Sequence, residues 1–97
     1  MNIRFLDSAC QELDEAVAFY AEERPGLEYD LLREITHALN SIVAFPQAWH
    51  PLSKRSRRCR LRRFPYGLIY QVREDELLIV AVAHMHRKPD YWKNRAN

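Results

Sequence analysis

Glycine is scarce in this chain: only Gly26 and Gly67 occur in 97 residues. No glycine-rich loop is available to wrap a phosphate, which removes the P-loop and dinucleotide-binding motifs from consideration. Long hydrophobic runs are missing too. The longest, Leu77 to Ala83, falls far short of the roughly 20 residues needed to cross a bilayer. The opening Met1-Asn2-Ile3-Arg4-Phe5 lacks the basic and apolar regions of a secretory signal, so a cytoplasmic location without membrane association is expected. Cysteine occurs twice, as Cys10 and Cys59, and two isolated thiols in a reducing compartment are expected to be packed rather than paired. His84 and His86 share a strand face, yet no third histidine or cysteine has metal-ligand spacing, so no metal is expected. No serine or cysteine sits in a nucleophile elbow.

What is present fits one α+β domain over residues 1–97. At this length folding buries roughly 60 to 65% of the accessible surface, which leaves a small core and no room for a large cofactor; none is expected. The formal net charge is only +2, but it conceals a polarised chain. Residues 1–50 carry three arginines against nine acids, a balance of −6, whereas residues 51–97 carry twelve basic residues against four acids, a balance of +8. Such asymmetry suggests a face built for a polyanion or an acidic partner.

Residues 2–6 alternate polar and apolar and read as a short strand. Ser8 with Gln11 has the spacing of a capping box and predicts the start of a helix. Cys10, Leu13, Val17 and Tyr20 make its apolar stripe, with Glu12, Glu15, Glu22 and Glu23 off it. Phe19 lies away from the stripe and is expected to touch a second helix. Arg24-Pro25-Gly26 ends the first helix. The second carries Leu31, Leu32, Ile35, Ala38, Leu39 and Ile42 on one broad face and stops at Phe45-Pro46. The short connection makes the pair an antiparallel hairpin. His37 points away from the core, and residues 46–56 read as a loop tied down by Trp49.

From Arg57 the period becomes two. Arg58, Arg60 and Arg62 alternate with Cys59 and Leu61, placing three guanidinium groups on one strand face. Phe64 to Gly67 makes a turn, Leu68 to Arg73 the next strand, Glu74 to Glu76 another turn, and Leu77 to Ala83 a last strand apolar on both faces. The expected architecture is βααβββ, with the helical hairpin on one face of a mainly antiparallel four-stranded sheet and a short C-terminal tail. One hairpin covers one face only. Leu78, Val80 and Val82, or the residues on the opposite face of that strand, are therefore expected to form an uncovered apolar strip suited to a partner.

The densest chemical signal is Lys54 to Arg63, with seven basic residues in ten. Guanidinium forks suit phosphate, and Tyr66, Tyr70, Tyr91 and Trp92 offer stacking surfaces for bases. A solvated face, or pairing with the acidic first helix, accounts for the same pattern. At the end of the last strand, His84 could serve as acid or base with Arg87 stabilising developing charge.

These segments, in this order, resemble the RelE/ParE superfamily of bacterial type II toxins. The residues that carry the resemblance are Pro25-Gly26, the run Arg62 to Tyr70, and the run Ala81 to Trp92. It implies a toxin neutralised by a cognate antitoxin, whose binding surface would include Leu78, Val80, Val82 and Phe19. Ribosome-dependent ribonucleases of the RelE type would place Arg58, Arg60 and Arg87 on phosphate, with His84 as acid or base. Gly67, however, stands where that type has an arginine, and Tyr91 and Trp92 are out of register with its C-terminal tyrosine. Loss of such an arginine removes several kcal/mol of transition-state stabilisation in sites of this kind. The ParE-like branch, linked to inhibition of DNA gyrase, is the better fit. Target contacts are then expected from Arg58, Arg60, Arg62, Arg63, Arg87, Tyr91 and Trp92. Ribosomal mRNA cleavage is the alternative, and a non-toxic nucleic-acid-binding adaptor a third.

Overall fold

The computed structural model describes residues 1–96. Strand β1 (Asn2–Phe5) leads into helix α1 (Asp7–Glu23), which turns into α2 (Leu27–Ala44). A two-residue strand β2 (His50–Pro51) follows, then β3 (Arg57–Arg60), β4 (Tyr66–Arg73), β5 (Glu76–His84) and a 3₁₀ turn at Lys93–Arg95. The sheet order is β1-β5-β4-β3-β2, with β1 parallel to β5 and every other pair antiparallel. The sheet therefore has five strands rather than four. The extra one lies inside the expected loop, where His50 and Pro51 pair with Arg58 and Arg57. Proline is tolerated there because β2 is an edge strand.

Local chemistry explains the hairpin. Helix α1 starts at Asp7, ahead of the Ser8–Gln11 pair, and Leu6 in the cap position gives no side-chain cap. The capping-box expectation thus fails, and the Asp7 carboxylate instead complements the positive end of the helix. Gly26 has φ +95°, a left-handed conformation that disfavours any side chain. Its N–H donates to Glu28 Oε1 at 2.8 Å, which starts α2. Leu31, Ile35, Ala38 and Ile42 are buried as the periodicity predicts, and each large aliphatic among them contributes about 1.5–3 kcal/mol by leaving water.

The stripe of α1 is rotated from its expected position. Ala9, Glu12 and Ala16 are the buried residues, Cys10 is exposed, and both thiols are free. Small alanines bring the helix close to β5, and a glutamate is drawn into that contact. Phe19 is 53% exposed and packs edge-on against Tyr20 of its own helix, at 5.0 Å between ring centroids.

The helices cover one sheet face, where Leu68, Tyr70, Leu77, Ile79 and Val82 join their core. On the opposite face Ile69, Leu78, Val80, Ala81 and Ala83 form a second cluster with Trp92, flanked by Leu6, Leu52, Tyr91 and Ala96. The expectation of an uncovered strip of Leu78, Val80 and Val82 is thereby corrected on two counts. The C-terminal tail folds back over Leu78 and Val80, which are 1% and 0% exposed. In addition, Ile69 pairs with Ala81 while Tyr70 pairs with Ile79, so Val80 is an extra residue in β5. This bulge inverts the alternation and sends Val82 to the helix side.

Tyr70 closes the main core from the loop side, its hydroxyl donating to the Pro46 carbonyl at 2.6 Å. Burial chiefly raises its pKa, to about 12, with Cys59 adding to the effect and Arg57 opposing it. A raised phenol pKa stabilises the fold fully below the ordinary value of 10, and that contribution disappears as pH climbs through 12. Tyr70→Phe is expected to cost about 1–2 kcal/mol at neutral pH and to weaken the alkaline loss. Urea unfolding at neutral and alkaline pH measures both; identical curves for the two proteins would refute the role of this hydrogen bond.

Candidate functional site

The basic run does not form one surface. Strand β3 ends at Arg60, so Arg62 leaves the row of guanidinium groups it was expected to continue. The backbone N–H groups of Arg62 and Arg63 both donate to Glu34 Oε1 on α2, and the Arg63 side chain reaches Asp30 at 3.4 Å. Arg60 is exposed and lines a small groove with Glu34 and Trp49. Trp49 itself packs against the main core, as a loop anchor should.

Arg58 lies opposite Ile69, on the sheet face that the helices do not cover. There it lines one cleft of about 120 Å³ with His84, Arg87, Lys88, Tyr91 and Trp92. Three of the four residues nominated for phosphate chemistry thus come together, and Arg60 does not join them. Gly67 shapes this cleft by its lack of a side chain. A Cβ there would lie 3.0 Å from Arg58 Cγ and 3.1 Å from Cδ, so the arginine stem occupies the space a larger residue would need.

The cleft borders a buried ion cluster. Glu12 Oε1 accepts from the Val82 N–H at 3.0 Å and from Arg95 Nη1 at 2.8 Å. Its Oε2 accepts from Arg95 Nη2 at 2.9 Å, the Tyr91 hydroxyl at 2.7 Å and Arg87 Nη1 at 3.3 Å. The Arg95 contact is a bidentate fork, the strongest common geometry for a carboxylate. Arg87 also lies over the Tyr91 ring, 4.0 Å from its centroid.

Burial alone would raise the Glu12 pKa. The hydrogen bonds from Arg95, Tyr91 and Val82, with the Arg95 charge, outweigh it and hold the carboxyl below its ordinary value. Tyr91 is pushed up, first by burial and then by its bond to Glu12. The two ends of the chain are stitched together here, and β5 beyond its pairing with β1 has its open edge capped by Glu12 on Val82 N–H and by Arg95 on Val80 C=O at 3.2 Å.

Glu12 was read from the sequence as lying off the apolar stripe. The spacing of Ala9, Glu12 and Ala16, three and then four residues, is the signal that places it on the buried face. His84 accepts the His86 N–H on Nδ1 at 3.1 Å, and its ring sits edge-on to Tyr66 at 5.1 Å. Beside it a separate groove of about 270 Å³ opens between Phe19, Glu15, Tyr66 and His84.

No helix is long and apolar enough to cross a membrane among the described residues. No curated protein matches the sequence significantly. A solved structure described as the chromosomal ParDE toxin–antitoxin system from P. aeruginosa is similar, with a TM-score of 0.75 at 19% identity, covering 89% of this chain and 97% of that one. At that identity the likeness speaks for the fold: a helical hairpin on a sheet of mainly antiparallel strands. Residues 3–89 match the family model for the ParE toxin of the type II toxin-antitoxin system, parDE. Tyr91 and Arg95, which hold the tail to Glu12, and Trp92, which packs on the second cluster, lie beyond that span. The chain belongs to the ParE toxin family of type II toxin-antitoxin systems.

Proposed function

We propose that this chain arrests bacterial growth from the cytoplasm by binding DNA gyrase, without cleaving RNA, and that a cognate antitoxin neutralises it. The observation that carries the non-catalytic reading is Glu12. Its carboxylate holds Arg87, the last-strand arginine that a ribonuclease of this fold would aim at the scissile phosphate. An anion already at that position repels phosphate and leaves Arg87 partly neutralised. The choice of gyrase follows the family resemblance. Arg58, Arg60, Arg62, Arg63 and Lys88 supply exposed or half-exposed cations for target contact. On the antitoxin side, Phe19 remains as the exposed apolar residue, beside the groove shared with Tyr66 and His84.

Inhibition of gyrase supercoiling by the purified chain, together with intact mRNA on programmed ribosomes, is the expected result. Growth arrest on induction, relieved by the adjacent reading frame, is expected in cells. Codon-phased cleavage abolished by Arg87→Ala would overturn the proposal in favour of the ribonuclease, and indifferent growth would favour the adaptor. Restoring the missing arginine with Gly67→Arg is expected to leave cleavage absent, because Arg87 stays bound to Glu12 and the new side chain displaces the Arg58 stem. Cleavage gained by that one substitution would show that Gly67 alone silences the site.

A further inference from the structure

The groove of about 270 Å³ between α1 and the end of the sheet combines an apolar floor, aromatic walls and a carboxylate rim. Ala16 and Val82, each 2% exposed, make the floor. Phe19, Tyr66 and His84 make the walls. Their rings brace one another through Tyr20, with centroids 5.0 Å apart for Phe19 and Tyr20, 6.3 Å for Tyr20 and Tyr66, and 5.1 Å for Tyr66 and His84. An exposed ring that is already braced loses little freedom when a partner covers it.

The charge of the groove depends on which of its ionic groups are already matched. Both Glu12 oxygens are taken in the ion cluster, and Arg87 is held there by Glu12 while lying over Tyr91. Glu15, about one turn further along α1, is different. It is exposed and has no hydrogen bond or ion pair among the described residues, and the same is true of Glu23 at the end of the helix. Both carboxylates act on the aromatic row. Burial chiefly raises the pKa of Tyr66, with Tyr20 and then Glu15 adding to it; burial chiefly raises that of Tyr20, with Glu23 adding. Phe19 stands seven residues beyond Glu12, about 10 Å along the helix. The Glu15–Phe19 end is therefore anionic and set apart from Arg87.

A cation carried on a long aliphatic stem satisfies all of these features. The stem packs on Ala16, Phe19 and Val82, and the head meets Glu15 beside the rings of Phe19 and Tyr66. An anion would face Glu15 in repulsion, and a purely apolar side chain would strip water from that carboxylate without replacing its partner. We propose, resting on the reading of this chain as a toxin that an antitoxin neutralises, that the groove seats one arginine or lysine side chain of that antitoxin, its stem against Phe19 and its charge on Glu15. Charge complementarity selects the antitoxin over the target. A target that complements Arg58, Arg60 and Lys88 is acidic and does not suit a rim of Glu15 and Glu23.

Calorimetry of the full chain with the purified product of the adjacent reading frame, at two salt concentrations, tests the seat. Glu15→Gln is expected to weaken binding about fivefold to tenfold and to make it less salt-dependent, and Glu15→Lys to weaken it on the order of 100-fold through like-charge contact. Phe19→Ala is expected to cost about tenfold. Asp14→Asn removes the same charge from an exposed position on another face of α1 and is expected to change nothing. Replacing each arginine and lysine of the antitoxin in turn by glutamate is expected to find one reversal that restores binding to Glu15→Lys. Wild-type affinity in both Glu15→Lys and Phe19→Ala overturns the seat and leaves neutralisation standing, whereas no binding by the wild-type chain removes the neutralisation reading and the seat with it. Failure of every reversal to rescue Glu15→Lys overturns the assignment of a basic side chain. Gyrase inhibition lost in Glu15→Lys with antitoxin affinity intact assigns the groove to the target, and a smaller gel-filtration size of the chain alone in Phe19→Ala assigns it to a second copy; either result overturns the proposal.

Discussion

Replacing Glu12 by alanine is expected to lower the melting temperature by roughly 15 °C or more, taking 4–8 °C per kcal/mol for a domain of this size. The carboxylate is buried, and its loss leaves Arg95, at 19% side-chain exposure, charged and without its partner. Removing one member of a buried pair costs about 3–5 kcal/mol, a large share of the roughly 5–15 kcal/mol that stabilises a small domain. The Val82 N–H and the Tyr91 hydroxyl lose their acceptor in the same step. By contrast, replacing both Glu12 and Arg95 with methionine should restore much of the stability, because two well-packed apolar chains avoid the desolvation of the ions. A double-mutant cycle of thermal melts measures the coupling. A shift below about 3 °C in Glu12→Ala would show that the cluster does not hold the tail.

The same cluster has a pH signature. Glu12 titrates below its ordinary value of 4.5 in the folded chain, so its contribution is present above that value and is lost as pH falls through the lower folded pKa. Stability of the wild type should therefore decline on acidification through this range, and Glu12→Gln should flatten that decline. Parallel acid limbs in the two proteins would contradict the assignment.

Trp92→Ala is the second substitution with a large expected effect. Trp92 is 6% exposed and covers Ile69, Leu78, Val80 and Ala81 on the sheet face that the helices do not reach. Truncating a buried tryptophan costs about 3–5 kcal/mol. The consequence differs in kind from that of Glu12→Ala, because a continuous apolar surface on β4 and β5 becomes exposed to water. Raised binding of a hydrophobic dye and self-association on gel filtration are expected. Hydrogen exchange should show the amides of residues 88–95 unprotected while the β4–β5 ladder persists. A monomer with protected tail amides and no dye binding would mean that the ion cluster alone secures the tail.

Much of this architecture is legible in the amino-acid order. The two-residue period that begins at Arg57 and resumes over Leu68 to Arg73, and the apolar face of Leu31, Ile35, Ala38 and Ile42, mark elements that form within about two residues of the expected bounds, β4 starting at Tyr66 inside the expected turn and β3 stopping at Arg60. Strand β2 is not legible, since two residues ending in proline carry no period. Nor is the bulge at Val80, because a run of apolar residues shows no alternation whose slip could be noticed. Glu12 escapes notice for a different reason. A glutamate on a helix is solvated by default, and its burial depends on Arg95, 83 positions away.

The candidate sites divide the same way. Alternating arginines on β3 are readable, but where that strand stops decides that Arg58 joins the Arg87 cleft while Arg62 and Arg63 meet Glu34 and Asp30.

The sequence by itself determined the helical hairpin, the meander, the family and the partition of charge between the halves, because each depends on local periodicity or on residue order. Tertiary structure alone decided how that charge is used. Acids of the first half neutralise Arg87 and Arg95 at one end of the sheet and Arg63 at the hairpin. The physical reason is that Coulomb and hydrogen-bond energies depend on distance in space, and distance in space is set here by a strand end, a one-residue bulge and a tail that folds back over the sheet.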